Sequence, residues 1–153
     1  MNTSDELVAT LHEAVTGALR ALGDIEVSVR EARNTFALEG FADVSAVLKV
    51  TTQAGEGYFV LSVTEAIATA LAKLVLAGVV SEPNTGMVRD CLGEIVNVVA
   101  GQAKTLLFGT PIHFVLGTPT VVTGTPTLAP PERVFVTFAS DFGEFALHVR
   151  LPA

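Results

Sequence analysis

The sequence predicts an α/β protein of the α+β type, in which helices cover a mainly antiparallel sheet. Segments with an apolar stripe at helical spacing are followed by shorter segments in which apolar and polar residues alternate. The alternating segments come in adjacent pairs, and such hairpins pair antiparallel. Hydrophobic residues make up 50% of the 153 residues, enough for the core of a single domain covering residues 1–153.

The first half of the chain is predicted to contain a helix, a strand, a hairpin and a second helix. Apolar residues recur at helical spacing from Thr3 to Gly23, and the segment from Ile25 to Ala32 alternates like a half-buried strand. The segment from Val44 to Val63 forms two strands that turn near Gly55–Gly57. Thr64 then caps a helix that runs to about Leu76.

The second half begins with a loop rich in Gly, Ser and Pro, followed by a long helix over about Thr85–Phe108. The triplet Gly-Thr-Pro recurs at Gly109, Gly117 and Gly124 and predicts turns around the short strands 112–116 and 120–122. The segment from Arg133 to Leu151 is predicted to form a closing hairpin.

A weak internal repeat relates the two halves. Leu11–Leu19 is similar to Leu92–Ala100, and Gly57–Val63 is similar to Gly143–Val149. Each half then contains a helix, a strand and a hairpin. A pseudo-duplicated unit of this kind predicts one sheet shared by the two halves, because each helix must bury its apolar stripe against it.

Charge and composition exclude several classes of partner and location. The net charge is −7 and the pI is near 4.8, which argues against binding nucleic acid or an anionic membrane. The single Cys91 permits no internal disulfide, and the acidic start lacks the basic region of a signal peptide. Glu65 and Lys73 interrupt the most apolar stretch, so we expect a cytoplasmic protein without a membrane anchor.

One face of the long helix carries the candidate functional residues. At about 3.6 residues per turn, one stripe contains Asp90, Glu94, Asn97, Gly101 and Lys104. The predicted core side contains Leu92, Ile95, Val96, Val99, Ala103 and Leu106. A carboxylate and an amide at i and i+3, with bare backbone one turn on, suit insertion into the active site of another protein. The alternative interpretation is an ordinary solvent-facing helix surface, where these residue types are common.

The spacing of these residues resembles a known signature. Asp90-x3-Glu94-x2-Asn97, followed about 22 residues later by Pro119, resembles the pattern of the CheC/CheX family of chemotaxis phosphatases. The run GEIVNVVAGQAKTLL is similar to the family's active-site helix, and the order of elements matches over nearly the whole chain. The corresponding site on the first helix, Glu13-x2-Thr16, lacks the asparagine. A chain with one intact motif resembles CheX more than CheC, which implies one site per chain and a homodimer.

The resemblance also implies a reaction and which groups each of the two proteins contributes to it. Members of the family hydrolyse the aspartyl phosphate of a response-regulator receiver domain such as CheY. The receiver would bring the phosphoryl group and Mg²⁺, so this chain is expected to bind no cofactor or metal itself. Asn97 would orient the attacking water, as a glutamine does in small GTPases. Glu94 would pair with a lysine of the receiver, and Asp90, Gly101 and Lys104 would contribute to docking.

Two further classes of function stay open at this point. The first is a non-catalytic interaction module on the same fold, which binds a receiver domain or a second copy of itself. The second is a small-ligand sensor that uses the sheet, for which no residue pattern argues. The three histidines lie far apart in the sequence, which argues against a metal site. Of these, His148 is expected at a half-exposed position of a strand.

Overall fold

The computed structural model describes residues 3–153 and confirms the predicted fold class. Over these residues the chain forms three helices and six strands in the order α1 (Thr3–Gly23), β1 (Ser28–Thr35), β2 (Val44–Thr52), β3 (Gly55–Val63), α2 (Glu65–Val75), α3 (Thr85–Leu106), β4 (Val115–Thr123), β5 (Arg133–Ser140) and β6 (Gly143–Arg150). The strands make one sheet in the order β1-β5-β6-β3-β2-β4. All neighbouring strands in it pair antiparallel.

The strand order agrees with the internal repeat. Exchanging β1 with β4, β2 with β5 and β3 with β6 reverses the order and leaves it otherwise unchanged. The central pair is β3 and β6, and in it Leu61 lies opposite Leu147, the two residues that the repeat aligns with each other. Helices α1 and α3, the other aligned segments, pack together. The two halves are therefore arranged as if related by a twofold axis between β3 and β6.

The helices bury their apolar stripes on one face of the sheet. Alternate residues of the central strands point into this core, among them Phe59, Leu61 and Val63 of β3. Helix α2 begins after Thr64, whose side chain accepts a hydrogen bond from the backbone N–H of Ile67 at 3.1 Å, as predicted. Asn84 caps α3 in the same way through the N–H of Met87, at 2.9 Å. None of the helices in the described part of the chain is long and apolar enough to cross a membrane.

Two connections cover the opposite face of the sheet. These are residues 36–43, between β1 and β2, and residues 124–132, between β4 and β5. The Tyr58 hydroxyl donates to the backbone oxygen of Pro130 at 2.9 Å, and the backbone N–H of Ala42 donates to Ser62 Oγ at 2.7 Å. Strands β3 and β6 are therefore buried on both faces. The expectation that His148 is half exposed is wrong, because its side chain has 0% exposure.

His148 and Arg133 form a buried polar pair beneath the 36–43 connection. Arg133, 2% exposed, donates from Nε to His148 Nδ1 at 2.9 Å and from Nη2 to the oxygen of Ala37 at 2.7 Å. Since Nδ1 accepts, the neutral ring carries its proton on Nε2, which donates to the oxygen of Gly40 at 3.1 Å. Burial lowers the pKa of His148 to about 3, and the Arg133 charge contributes in the same direction.

The segment after α3 differs from its prediction. The predicted strands 112–116 and 120–122 are replaced by one strand, β4, which begins at Val115 and leaves residues 112–114 outside it. Gly117 lies within β4, so the predicted turn at Gly117 is wrong. The register with β2 shifts between Leu48 and Val50, and a Cβ on Gly117 would lie 2.6 Å from the oxygen of Lys49. This glycine permits a close approach at a bulge. The other two triplet glycines, Gly109 and Gly124, adopt φ angles of 82° and 75° in connections, as expected of turns.

Candidate functional site

Helix α3 is held against the sheet along one side. Its buried residues are Val88, Cys91, Leu92, Gly93, Ile95, Val96, Val99, Ala100 and Ala103. Gly93 faces β4, where a Cβ would meet Pro119 at 3.7 Å and Val121 at 3.8 Å. The proline of the sequence pattern therefore lies beside α3, next to the residue that precedes Glu94. This packing fixes the helix that carries the candidate residues.

The core side of α3 was predicted correctly except at its last turn. Leu106 was expected to be buried, yet it is 41% exposed. Ala103 and Leu107 are the buried residues at this end of the helix. Leu106 is the last residue of α3, and there the helical periodicity no longer indicates which side chains face the core.

The predicted polar stripe lies on the outer side of α3 with graded exposure. Asp90 and Glu94 are exposed, whereas Asn97, Gly101 and Lys104 are partly buried. Within residues 3–153, the side chains of Glu94 and Asn97 have no hydrogen bond or ion pair. Their carboxylate and amide are thus free to bind a partner, and the helix packing fixes the backbone that holds them.

A hollow lies beside the stripe, between α3 and α1. It has a volume of about 320 Å³ and is lined by Glu13, Val98, Gly101, Gln102, Thr105 and Leu106. No atom lies within 4 Å of the position that a Cβ on Gly101 would take. Helical spacing predicts the position of Gly101, whereas only the packing of the two helices brings Glu13 to this place.

Arg89 connects three elements at the start of α3. Its Nη2 donates to Thr123 Oγ1 of β4 at 3.4 Å and lies 3.7 Å from the carboxylate of Glu65 on α2. Both side chains of this ion pair are partly open to solvent, so it contributes little to stability. The two contacts link the N-terminal end of α3 to β4 and α2, and no sequence pattern indicated this link.

Cys91, one turn before Ile95, is not a candidate nucleophile. The residue is 6% exposed, and burial raises the pKa of its thiol, with a further increase from the Glu94 charge. A protonated, buried thiol is a poor nucleophile and a poor metal ligand. Within the described residues there is no group of three or more His, Cys, Asp or Glu side chains that could hold a metal ion.

A match to a protein family covers the helix that carries the candidate residues. The model of the family described as chemotaxis phosphatase CheX matches residues 44–144, which is more than half of the chain. The chain belongs to the CheX family. The matched range includes α3 with its polar stripe and β4 with Pro119. A comparison with curated proteins gives no match.

Solved structures of CheX and CheC-like proteins share the fold. The chemotaxis protein CheX from Desulfovibrio desulfuricans has a TM-score of 0.83 and 23% identity, over 95% of this chain and 99% of that chain. A CheC-like superfamily protein from Shewanella sp. PV-4 has a TM-score of 0.80 and 21% identity, over 97% of each chain. A chain from the CheX–CheY–BeF3–Mg²⁺ complex of Borrelia burgdorferi has a TM-score of 0.71 and 16% identity, over 95% of this chain and 97% of that chain.

Proposed function

We propose that this CheX-family protein binds a CheY-like response regulator and hydrolyses the aspartyl phosphate of its receiver domain. The observation that carries the proposal is the pair Glu94 and Asn97, unpaired at i and i+3 on the outer side of a helix whose inner side is fixed. Two facts support the choice of partner: the family match, and the similarity in fold to a CheX solved in complex with CheY.

In the proposed mechanism this chain contributes little covalent chemistry. Phosphoryl transfer depends mainly on positioning and on neutralising charge, and the receiver contributes its own Mg²⁺. The Asn97 amide would accept a hydrogen bond from the attacking water through its oxygen and hold that water in line with the phosphorus atom. Pre-oriented water lowers the entropic part of the barrier.

Glu94 and the residues around it would hold the complex together. In the proposal, the Glu94 carboxylate pairs with a lysine of the receiver, and Asp90, one turn earlier, adds negative charge to the same contact. Lys104 lies at the other end of the stripe, where it would meet an acidic group of the receiver. Glu94 and Asp90 are exposed, so both carboxylates are accessible before the complex forms.

The experiment that tests the proposal follows the decay of a phosphorylated receiver domain in the presence of Mg²⁺. We expect the protein to accelerate the decay, and we expect Glu94→Ala to raise the protein concentration needed for half-maximal acceleration by about 10-fold, since it removes one charge-assisted contact. Glu26→Ala, at an exposed position before β1, is the matched control and should behave as wild type. Binding without acceleration would support the non-catalytic interaction module instead, and neither binding nor acceleration would contradict both.

The proposal includes a homodimer formed through the free edge of β4. This edge strand, Val115–Thr123, contains no charged residue, whereas β1 at the other edge carries Arg30, Glu31 and Arg33. Charged side chains are one protection of sheet edges against pairing, and β4 carries none.

The bulge at Gly117 and Pro119 interrupt this edge, so residues 120–123 are its regular part and the segment proposed to pair. Two antiparallel copies of β4 can meet across a twofold axis. Because β4 has no charged residue, this pairing brings no like charges together, although the chain is acidic overall.

Sedimentation velocity tests the dimer. We expect the wild type to sediment as a dimer and Thr120→Lys, at an exposed position of β4, to shift it to monomer. Ala32→Lys, at an exposed position of β1, is the control and should remain dimeric. A wild type that stays monomeric at all accessible concentrations would contradict this part of the proposal.

A further inference from the structure

We propose that Glu13 on α1 belongs to the docking surface of α3, and that the hollow between the two helices receives a lysine or arginine of the receiver domain. The stem of that side chain would fill the hollow, and its charged end would pair with Glu13. This inference rests on the proposed function and extends it, because it assigns Glu13, whose own motif on α1 is incomplete, to the docking surface of α3 and names the chemistry of the side chain that it binds.

The hollow is continuous with the site already described. On α3 it begins with Val98, next to Asn97, and Gly101, one turn beyond it. Val98 is partly buried, and Leu106 at the rim is 41% exposed. With no side chain on Gly101, the space between these two apolar groups stays open. A receiver docked on Glu94 and Asn97 would therefore cover the hollow.

The contact between the helices places Glu13 at the rim. Gly17 of α1 lies beside Gln102 of α3, whose side-chain Oε1 is 2.6 Å from the position that a Cβ would take. Glu13, one turn before Gly17, lines the hollow with Leu106, one turn after Gln102. The two helices thus run antiparallel.

The charge and shape of the hollow define its occupant. Glu13 is the ionisable residue among the lining residues, and over the described range 3–153 its carboxylate has no ion pair or hydrogen bond. The rest of the lining offers apolar carbon from Val98 and Leu106. Lysine and arginine combine an apolar stem with a cationic end, and they bury the stem while the charge stays near water. This combination fits the hollow and complements the carboxylate.

The repeat supplies a second argument. Glu13 aligns with Glu94, and Thr16 takes the position of Asn97. The Thr16 hydroxyl oxygen is buried without a hydrogen-bond partner, so it cannot hold a water for an incoming phosphate. Glu13 therefore has no catalytic partner on its own helix. Its exposed carboxylate is directed to the hollow that it shares with α3.

Two substitutions and two matched controls test the inference. Glu13→Lys reverses the charge, and Gly101→Leu fills the hollow. The controls are Glu132→Lys, at an exposed position in a connection that covers the opposite face of the sheet, and Gly86→Ala, in the first turn of α3. Receiver dephosphorylation is measured against protein concentration. Binding of the same receiver, loaded with BeF3 and Mg²⁺ in place of the phosphoryl group so that nothing is hydrolysed, is measured by isothermal titration calorimetry at low and high salt.

Both substitutions should weaken docking without changing the chemical step. We expect Glu13→Lys to raise the half-maximal concentration by about 5-fold with an unchanged maximal rate, and we expect high salt to reduce this difference. Gly101→Leu should weaken docking by about 10-fold. Because leucine is a better helix former than glycine and the position is open, this variant should melt no earlier than wild type. Loss of docking is thereby separated from loss of folding.

The outcomes distinguish this inference from the proposed function. An active wild type with unchanged half-maximal concentrations in both variants would overturn the inference and leave the phosphatase proposal standing. An inactive wild type that binds the receiver would overturn the phosphatase proposal, and the titration would still support or overturn the role of Glu13. A wild type that neither binds nor hydrolyses would overturn both.

Discussion

Asn97→Ala is expected to lower the catalysed rate of receiver dephosphorylation by about 100-fold or more, the usual effect of removing a positioned catalytic group. In the proposed mechanism the amide orients water and contributes nothing else that the reaction requires. Alanine cannot hold that water, so the maximal rate should fall toward that of the receiver alone. The measurement is the single-turnover decay of the phosphorylated receiver at saturating protein.

Folding and docking should survive this substitution. Asn97 has no hydrogen bond within the described chain, and alanine is the better helix former by about 0.5 kcal/mol. Binding of the receiver loaded with BeF3 and Mg²⁺, which is not hydrolysed, should therefore stay near the wild-type value. Asn97→Gln keeps the amide but moves it by one methylene, and it should retain part of the rate. Full activity in Asn97→Ala would eliminate Asn97 as the water-orienting group.

The free energy of unfolding is expected to fall steeply as the pH is lowered from about 6.5 to 3. The pKa of His148 is about 3 in the folded protein, against an ordinary value of 6.5. Above pH 6.5 the ring is neutral in both states and contributes no pH dependence. Between these values the unfolded chain takes up a proton that the folded protein excludes, so acid favours unfolding. The shift corresponds to about 4 kcal/mol by pH 3.

Urea unfolding at a series of pH values measures this slope. His148→Gln removes the titrating ring and can still accept from Arg133 and donate to Gly40, so its slope should be smaller by nearly one proton. The control is His12→Gln, at an exposed position of α1, which should keep the wild-type slope. An NMR titration of His148 gives an independent result in the folded protein. A transition near pH 6.5 for this ring would contradict its burial beneath the 36–43 connection.

The elements of the fold could be predicted from the sequence, but their arrangement could not. Apolar periodicity and the cap at Thr64 place the helices to within about two residues. The pairing of β1 with β5 and of β2 with β4 leaves no local signal, since it joins segments far apart in the chain. His148 shows the same limit: alternation predicts which face it occupies, and a distant connection covers that face.

The candidate site, too, could be predicted only in part from the sequence. Helical spacing alone brings Asp90, Glu94 and Asn97 to one face, because neighbours on a helix are set by its pitch. It could not reveal that Glu13 lines the hollow beside them, which depends on how α1 packs against α3. Nor could it indicate Arg89, whose partners lie on α2 and β4.

The pairing of strands between the two halves also determines when this protein can fold. Of the sheet pairings, only β2–β3 and β5–β6 are hairpins, whereas β1–β5, β2–β4 and β3–β6 close long loops of chain. Such closures are entropically costly and slow folding relative to local pairing. During synthesis, β1 leaves the ribosome long before its partner β5 exists, and β3 has one neighbour missing until β6 is made. The first half must therefore wait, incompletely paired, for the last strands of the second.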